Sequence, residues 1–214
     1  MKNTRRCKVC RERFTPTFNS LQPTCLKPEC LAQHGRNEYK KQEKEKVQVM
    51  KEKQMDVPYF KKKLQEKVQA IARHLDFGKG CISCGKPPYG MVYGGHRWAK
   101  GEYSNIRFDL HQISSQCYSC NEKKSGNIDG YVKGLEERYS KEYRDYVNSL
   151  PSLYPETKLN LFEIKLAYAK AVKIEGELKR DLKLLTPSEV ITRKNEINEN
   201  LGYHLEKFET KIEQ

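Results

Sequence analysis

The sequence predicts an α+β protein, mostly helical, assembled around two zinc sites. Three observations lead there. All eight cysteines fall into four close pairs. Apolar residues recur at three- and four-residue steps through most of the second half of the chain, which is helical spacing. Only the region between the last two cysteine pairs is short, irregular and rich in Gly and Pro, as strands and turns are.

The cysteines come first. Cys7, Cys10, Cys25 and Cys30 form C-x2-C-x14-C-x4-C, and Cys81, Cys84, Cys117 and Cys120 form C-x2-C-x32-C-x2-C. Each group supplies the four thiolates of a closed tetrahedral zinc site, and none is left over. His34 is the alternative fourth ligand of the first group. The opening MKNTRRCKVC has basic residues but no apolar core behind them, unlike a secretory signal. Eight cysteines without such a signal predict a reducing compartment and metal rather than disulfides. No stretch approaches the roughly twenty apolar residues of a membrane span. Lys and Arg outnumber Asp and Glu by 41 to 28 in 214 residues, a net charge of +13. That balance predicts a polyanionic partner, nucleic acid above all, rather than a merely solvated basic surface.

Taken in order, residues 1–34 form an N-terminal zinc element. Residues 35–57 carry the tract GRNEYKKQEKEKVQVMKEKQMD, which has no apolar stripe and reads as a solvated helix or flexible linker. Residues 58–150 form the second zinc domain with a leading and a trailing helix. In the first of these, Phe60, Leu64, Val68, Ile71 and Leu75 line one face, and Pro58 suits the first turn. MVYGGHRW and NIRFDL read as short strands, with a helix from about Gln116. Beyond Asn127, Tyr131, Leu135, Tyr139 and Tyr143 step by four and read as packing residues rather than a base-stacking surface. LPSLYPE then breaks the run. Residues 158–214 form a helical hairpin. Its first helix carries Leu161, Ile164, Tyr168, Ala171, Leu178, Leu182 and Leu185. Thr186–Glu189 is a capping box opening the second, which carries Val190, Ile197, Leu201, Leu205, Phe208 and Ile212. The hairpin either folds back on the body or pairs with another subunit or a recombination partner.

The segment CYSCNEKKSGN joins a cysteine pair to amides and lysines that a structural zinc site does not need. Phosphodiester cleavage requires a base, a divalent cation and groups that hold the backbone. His96 supplies a near-neutral imidazole. The oxygens of Asn121, Asn127 and Asp109 suit magnesium or manganese. Arg97, Lys123 and Lys124 are the phosphate contacts. If both cysteine pairs bind one zinc, the closure is expected to bring His96 toward Asn121 and Asn127. His74 and His204 lie on helical stretches and receive no role.

CISCG, GGHRW, RFDL and QCYSCNEKKSGN followed by Tyr131, together with the N-terminal CKVCRERFTPTF, resemble the phage NinG family over about residues 5–150. More broadly, CxxC, His, CxxCN and Lys in this order are similar to zinc-stapled HNH endonucleases with a ββα-metal core. The resemblance implies a metal-dependent, structure-selective endonuclease of phage recombination. Its substrates would be Holliday junctions and D-loops in the cytoplasm of a bacterial host, and its products would carry a 5′ phosphate and a 3′ hydroxyl. It implies His96 as general base, Asn121 as the last HNH position and a metal ligand, and Gln112 at the middle position, with His111 beside it as the alternative. Gly95 stands where many HNH enzymes place an acidic ligand. Two other readings compete: a non-catalytic zinc protein binding branched or single-stranded DNA, and a recombination scaffold working through its hairpin.

Overall fold

The computed structural model describes residues 4–53, 56–87, 90–154, 160–203 and 207–209. The chain divides into two compact units, Met1–Met55 and Asp56–Gln214.

The first unit holds a two-stranded antiparallel ribbon, β1 (Arg5–Arg6) against β2 (Arg13–Phe14), with Arg5 opposite Phe14. It continues into one long helix, α1 (Pro28–Lys53). The tract read as helix or linker is therefore the body of a helix that starts earlier than its charge pattern suggested. Pro28 and Glu29 suit a first turn, where an N–H is spare and the dipole favours an acid. Cys30 lies within that turn, so the helix grows out of the metal group.

The second unit runs α2 (Val57–Leu75), β3 (Val92–His96), β4 (Ile113–Cys117), α3 (Ile128–Arg138), α4 (Lys141–Leu153), α5 (Leu161–Arg180) and α6 (Pro187–Leu201). The protein is mostly helical α+β with two small sheets. Asp56 caps α2 by accepting from the Tyr59 N–H, and Pro58 occupies the first turn, as expected. Phe60, Leu64, Val68, Ile71 and Leu75 are all buried. Each contributes about 1.5–3 kcal/mol of apolar burial. They meet Phe108, Leu110 and Ile113 on one side and Ile164, Ala167, Ala171, Val190 and Ile197 of α5 and α6 on the other. The hairpin thus folds back onto the body of its own chain. A second cluster joins Ile82, Ile106, Tyr131, Leu135, Tyr143, Val147, Leu150 and Ile191. The tyrosine stripe is packing, split over two helices because Ser140 caps α4 through the Tyr143 N–H. The capping box at Thr186–Glu189 is present in full. Leu182 and Leu185 lie past the end of α5, and Leu205 and Ile212 lie outside the described residues. None of the described helices is long and apolar enough to cross a membrane.

The second strand departs from the sequence expectation. NIRFDL forms two 3-10 turns, Ser104–Ile106 and Leu110–Gln112. The Asp109 side chain accepts from the His111 N–H at 2.7 Å and bends the chain there. The strand is ISSQC, whose Ser114, Ser115 and Gln116 are polar yet buried. Gln116 Nε2 donates to Ser83 Oγ and to the Gly126 carbonyl, both at 2.6 Å. Nor does a helix start near Gln116. That residue and Cys117 finish β4, a single π turn covers Ser119–Lys123, and α3 begins only at Ile128.

Helix α3 rests directly on the Cys81–Cys84 turn. A Cβ at Gly130 would stand 2.3 Å from the Ser83 carbonyl oxygen, and one at Gly134 1.7 Å from that of Ile82. Gly134→Ala is therefore expected to lower stability by roughly 1–3 kcal/mol, the usual range for overpacking. Gly176→Ala on α5, with only ordinary contacts around it, is expected to raise it by up to ~1 kcal/mol through helix propensity. Paired thermal melts compare the two; equal shifts would contradict the close packing.

Helix α6 meets the 109–113 segment through polar side chains. Asn198 Oδ1 accepts from the Leu110 N–H at 3.0 Å, and its Nδ2 donates to Asp109 Oδ1 at 2.9 Å. Asn195 Oδ1 lies 3.0 Å from His111 Nε2, and the buried Lys194 ammonium donates to the Ile113 carbonyl at 3.0 Å. Asn198→Ala would strand the Leu110 N–H in a buried site, a cost of about 1–3 kcal/mol. A urea titration of that variant is expected to show a lower midpoint with an unchanged slope; a wild-type midpoint would mean that the α6 contacts add nothing.

Candidate metal centres and anion site

The sulfurs of Cys7, Cys10, Cys25 and Cys30 lie within 4.8 Å of one another, as do those of Cys81, Cys84, Cys117 and Cys120. Cys10 and Cys25 sulfurs are 3.7 Å apart, and those of Cys84 and Cys117 4.0 Å. A tetrahedron with Zn–S bonds of 2.3 Å has edges of about 3.8 Å, so both groups fit zinc. The leading turns are built alike. The Cys7 N–H donates to the Glu12 carbonyl and Arg11 N–H to that of Cys7, while Cys81 N–H donates to Lys86 and Gly85 N–H to Cys81. The residue after the second cysteine is left-handed in both, Arg11 at φ 67° and Gly85 at φ 69°.

The residues after Cys120 serve the metal group in part. Ser125, Gly126 and Asn127 all have positive φ. That turn aims Asn127 Nδ2 at Cys120 Sγ, 3.4 Å away, and at the Ser83 carbonyl, 3.3 Å away. Burial pushes the Cys120 thiol up to about 12, and the Asn127 hydrogen bond acts against it. An N–H donor on a thiolate steadies the ligand and its charge.

His96 sits elsewhere. It pairs with Ile113, while Val92 pairs with Cys117. Four residues of strand, on the order of 13 Å, separate it from the cysteine end of the ribbon. Its side chain shares a face with Gly94, whose Cβ would meet Gln69 of α2, whereas Gly95 and Gln116 face the Gly126 turn. Strand alternation therefore directs His96 to α2, away from Asn121 and Asn127. Arg107 Nε donates to Gln65 Oε1 at 2.8 Å, which turns Gln65 Nε2 toward His96 Nε2, 2.9 Å away. The same ring nitrogen lies 3.3 Å from the Arg107 carbonyl. Burial holds its pKa down to about 4, helped by the nearby charges of Lys100 and Arg107. Lys61, on the same helix as Gln65, is lowered by burial and by Arg107. Among the described residues, Lys61, Lys100 and Arg107 form no ion pair. Lys100 and Arg107 act on the ring and Lys61 lies near Arg107, so the surroundings of His96 are cationic and suit an anion. Sequence reading passed over Gln65, Lys61, Lys100 and Arg107. The one available signal was a glutamine adjoining Leu64 on the buried stripe of α2.

The other candidates disperse. Asp109, His111 and Gln112 are fully buried. His111 Nδ1 lies 3.0 Å from the Tyr143 hydroxyl, and Gln112 links the Ile106 carbonyl to the Trp98 N–H. Asn121 Nδ2 donates to Glu122. Arg97 stacks on Trp98 and donates to Asn148, and Lys123 lies over the Tyr118 ring. Lys124 is exposed. Asp109 is engaged by Asn198 and the His111 N–H, Asn121 by Glu122, and Asn127 by Cys120 and Ser83, and the only clusters of His, Cys, Asp or Glu among the described residues that suit a metal are the two cysteine groups. Nothing among the described residues supports the expected magnesium or manganese set.

A family described as "Bacteriophage Lambda NinG protein" matches residues 1–180. The chain belongs to the NinG family. The match reaches the end of α5, further than the motifs alone indicated. Among curated NinG proteins, that of Escherichia phage 933W is 29% identical over 185 residues and that of Escherichia phage lambda 29% over 188. That of Salmonella phage P22 is 30% identical over 188. Each comparison covers 79% of this chain and 92% of the relative. No solved structure matches this NinG-family chain.

Proposed function

We propose that this NinG-family protein is an endonuclease of phage recombination acting on branched DNA, with His96 as the proton acceptor. The supporting observation is the imidazole at the end of β3, held neutral by burial, with Lys100 and Arg107 near it. The order β3, β4, cysteine pair, α3 is that of a zinc-stapled HNH core. Zinc, held by Cys81, Cys84, Cys117 and Cys120, fixes the ribbon and the start of α3; the chemistry belongs to the side chains at the other end. A phosphodiester bound there meets Lys100 and Arg107, whose charges offset its own. With the ring proton on Nδ1 and the Gln65 amide turned aside, Nε2 takes a proton from water as the water oxygen bonds to phosphorus, the P–O3′ bond breaks, and the departing 3′ oxygen takes up a proton from solvent. No step is assigned to a divalent cation, because the described carboxylates and imidazoles form no cluster that suits one.

A second reading, junction binding without cleavage, draws on the Gln65 bond that occupies Nε2 and on the orientation of His96 toward α2. Labelled four-way junctions incubated with the protein in magnesium, manganese or chelator separate the two. Cleavage of the junction supports the nuclease. Tight binding with no cut product in any condition leaves the binding reading alone.

A further inference from the structure

The loop between the two cysteine pairs of the first unit is tightly braced. Gln22 is buried; its Oε1 accepts from the Thr17 and Phe18 N–H groups at 2.8 and 3.2 Å, and its Nε2 donates to the Thr24 carbonyl at 2.8 Å. The Gln22 N–H closes a turn on the Asn19 carbonyl, and Asn19 Oδ1 accepts from the Leu21 N–H. The Arg5 guanidinium reaches the Ser20 carbonyl from the ribbon. On this fixed turn the two largest side chains point into water, Phe18 at 77% and Leu21 at 78% exposure. A single exposed apolar residue is ordinary. Two on one braced turn form a built apolar tip.

The charge around the tip is one-sided. Residues 4–27 contain Arg5, Arg6, Lys8, Arg11, Arg13 and Lys27 against Glu12 as the only acid. Glu12 pairs with Lys27. Arg6, Lys8, Arg11 and Arg13 are exposed and outweigh the formal −2 of four thiolates on one zinc ion. Arg11 occupies the left-handed position that Gly85 fills in the other knuckle. A side chain there costs backbone strain that glycine avoids. The strained position therefore carries a cation.

We propose that this element is a DNA wedge: Phe18 and Leu21 enter among unstacked bases, and Arg6, Lys8, Arg11 and Arg13 hold the flanking phosphates. Apolar wedges between base steps, supported by cations on the backbone, are an established way of gripping distorted DNA. The four cations favour a polyanion over an apolar protein partner. A branch point, where stacking is already interrupted, offers such bases at low cost. The proposal rests on the DNA-binding reading above and extends it to a site that the nuclease chemistry does not use.

The test uses the full zinc-loaded chain with a labelled four-way junction and a linear duplex of the same sequence. Phe18→Ala with Leu21→Ala is expected to weaken junction binding at least tenfold, as loss of base stacking does, and duplex binding less than threefold. A 2-aminopurine at the branch point is expected to brighten with the wild-type protein but not with this variant. Arg11→Gly relaxes the backbone, so zinc content is expected to hold at the wild-type value. The same change is expected to weaken binding to both DNAs and to reduce the slope of log affinity against log salt by about 0.9. Wild-type junction affinity and 2-aminopurine signal in the tip variant would overturn the wedge, as would equal losses on junction and duplex. If the wild-type protein binds no DNA, the DNA-binding reading falls and the wedge with it. Binding that ignores the tip removes the wedge alone.

Discussion

Replacing Cys120 with serine is expected to cost the chain one zinc ion and most of the ordered structure of residues 56–214. A structural zinc site contributes about 10–16 kcal/mol of apparent binding free energy, as much as the whole stability of a typical domain, about 5–15 kcal/mol. Cys120 closes the metal group, receives Asn127 and stands where β4 gives way to the turn before α3. Serine offers a hydroxyl in place of the thiolate, so the metal group is left with three sulfurs. Native mass spectrometry is expected to show two zinc ions in the wild type and one in Cys120→Ser. Circular dichroism is expected to lose most of its cooperative melt. Cys30→Ser removes the other ion and should leave that melt largely in place. Two ions and an unchanged melt in Cys120→Ser would remove the metal from the account of the fold.

His96→Ala is expected to slow junction cleavage by roughly 10²–10⁴, the range for losing a general base, while leaving junction affinity within a fewfold of the wild type. The pH profile follows from the sign of the shift. With a folded pKa near 4, the ring is already neutral above about pH 5, so the wild-type rate climbs from pH 3 to 5 and is flat through neutrality. Stability follows the same group. The native state resists protonation and the unfolded chain, at about 6.5, does not. Stability from this histidine is thus complete above pH 6.5 and is lost as pH falls toward 4, by up to about 3 kcal/mol. The alanine variant lacks that part of the acid loss. Single-turnover cleavage beside an anisotropy titration measures both effects. Wild-type cleavage by His96→Ala would move the base to another residue.

Elements whose signal is local were legible in the sequence. Four thiols at short spacing declare a metal, the stripe from Phe60 to Leu75 declares a buried helix face, and Thr186–Glu189 declares a helix start. What escaped depends on neighbours distant in sequence. ISSQC has no apolar alternation because Ser83 and Gly126 satisfy its glutamine from outside. Asp109 and His111 resembled site residues, yet Asn195 and Asn198, more than eighty positions onward, turn them into internal partners. The constellation around His96 was half visible. The histidine stood out by its place between cysteine pairs, but which side of the ribbon it faces is decided by register, and a shift of one residue would have sent it to the opposite face. Gln65 and Lys61 come from a helix that precedes the second cysteine group altogether.

The second metal group also bears on the time course of folding. Its two cysteine pairs are separated by 32 residues, and that span contains the whole of β3 and nearly all of β4. Closing such a loop without help costs about 3 kcal/mol of chain entropy, before a ribbon so short and so polar on one strand returns much in exchange. Once zinc bridges Cys81 and Cys84 to Cys117 and Cys120, the strands are neighbours and only their register remains to be found. Gly130 and Gly134 then have a completed knuckle to settle on. With zinc in this group, metal capture is expected early among the events of folding, before the strand that carries His96 acquires its partner.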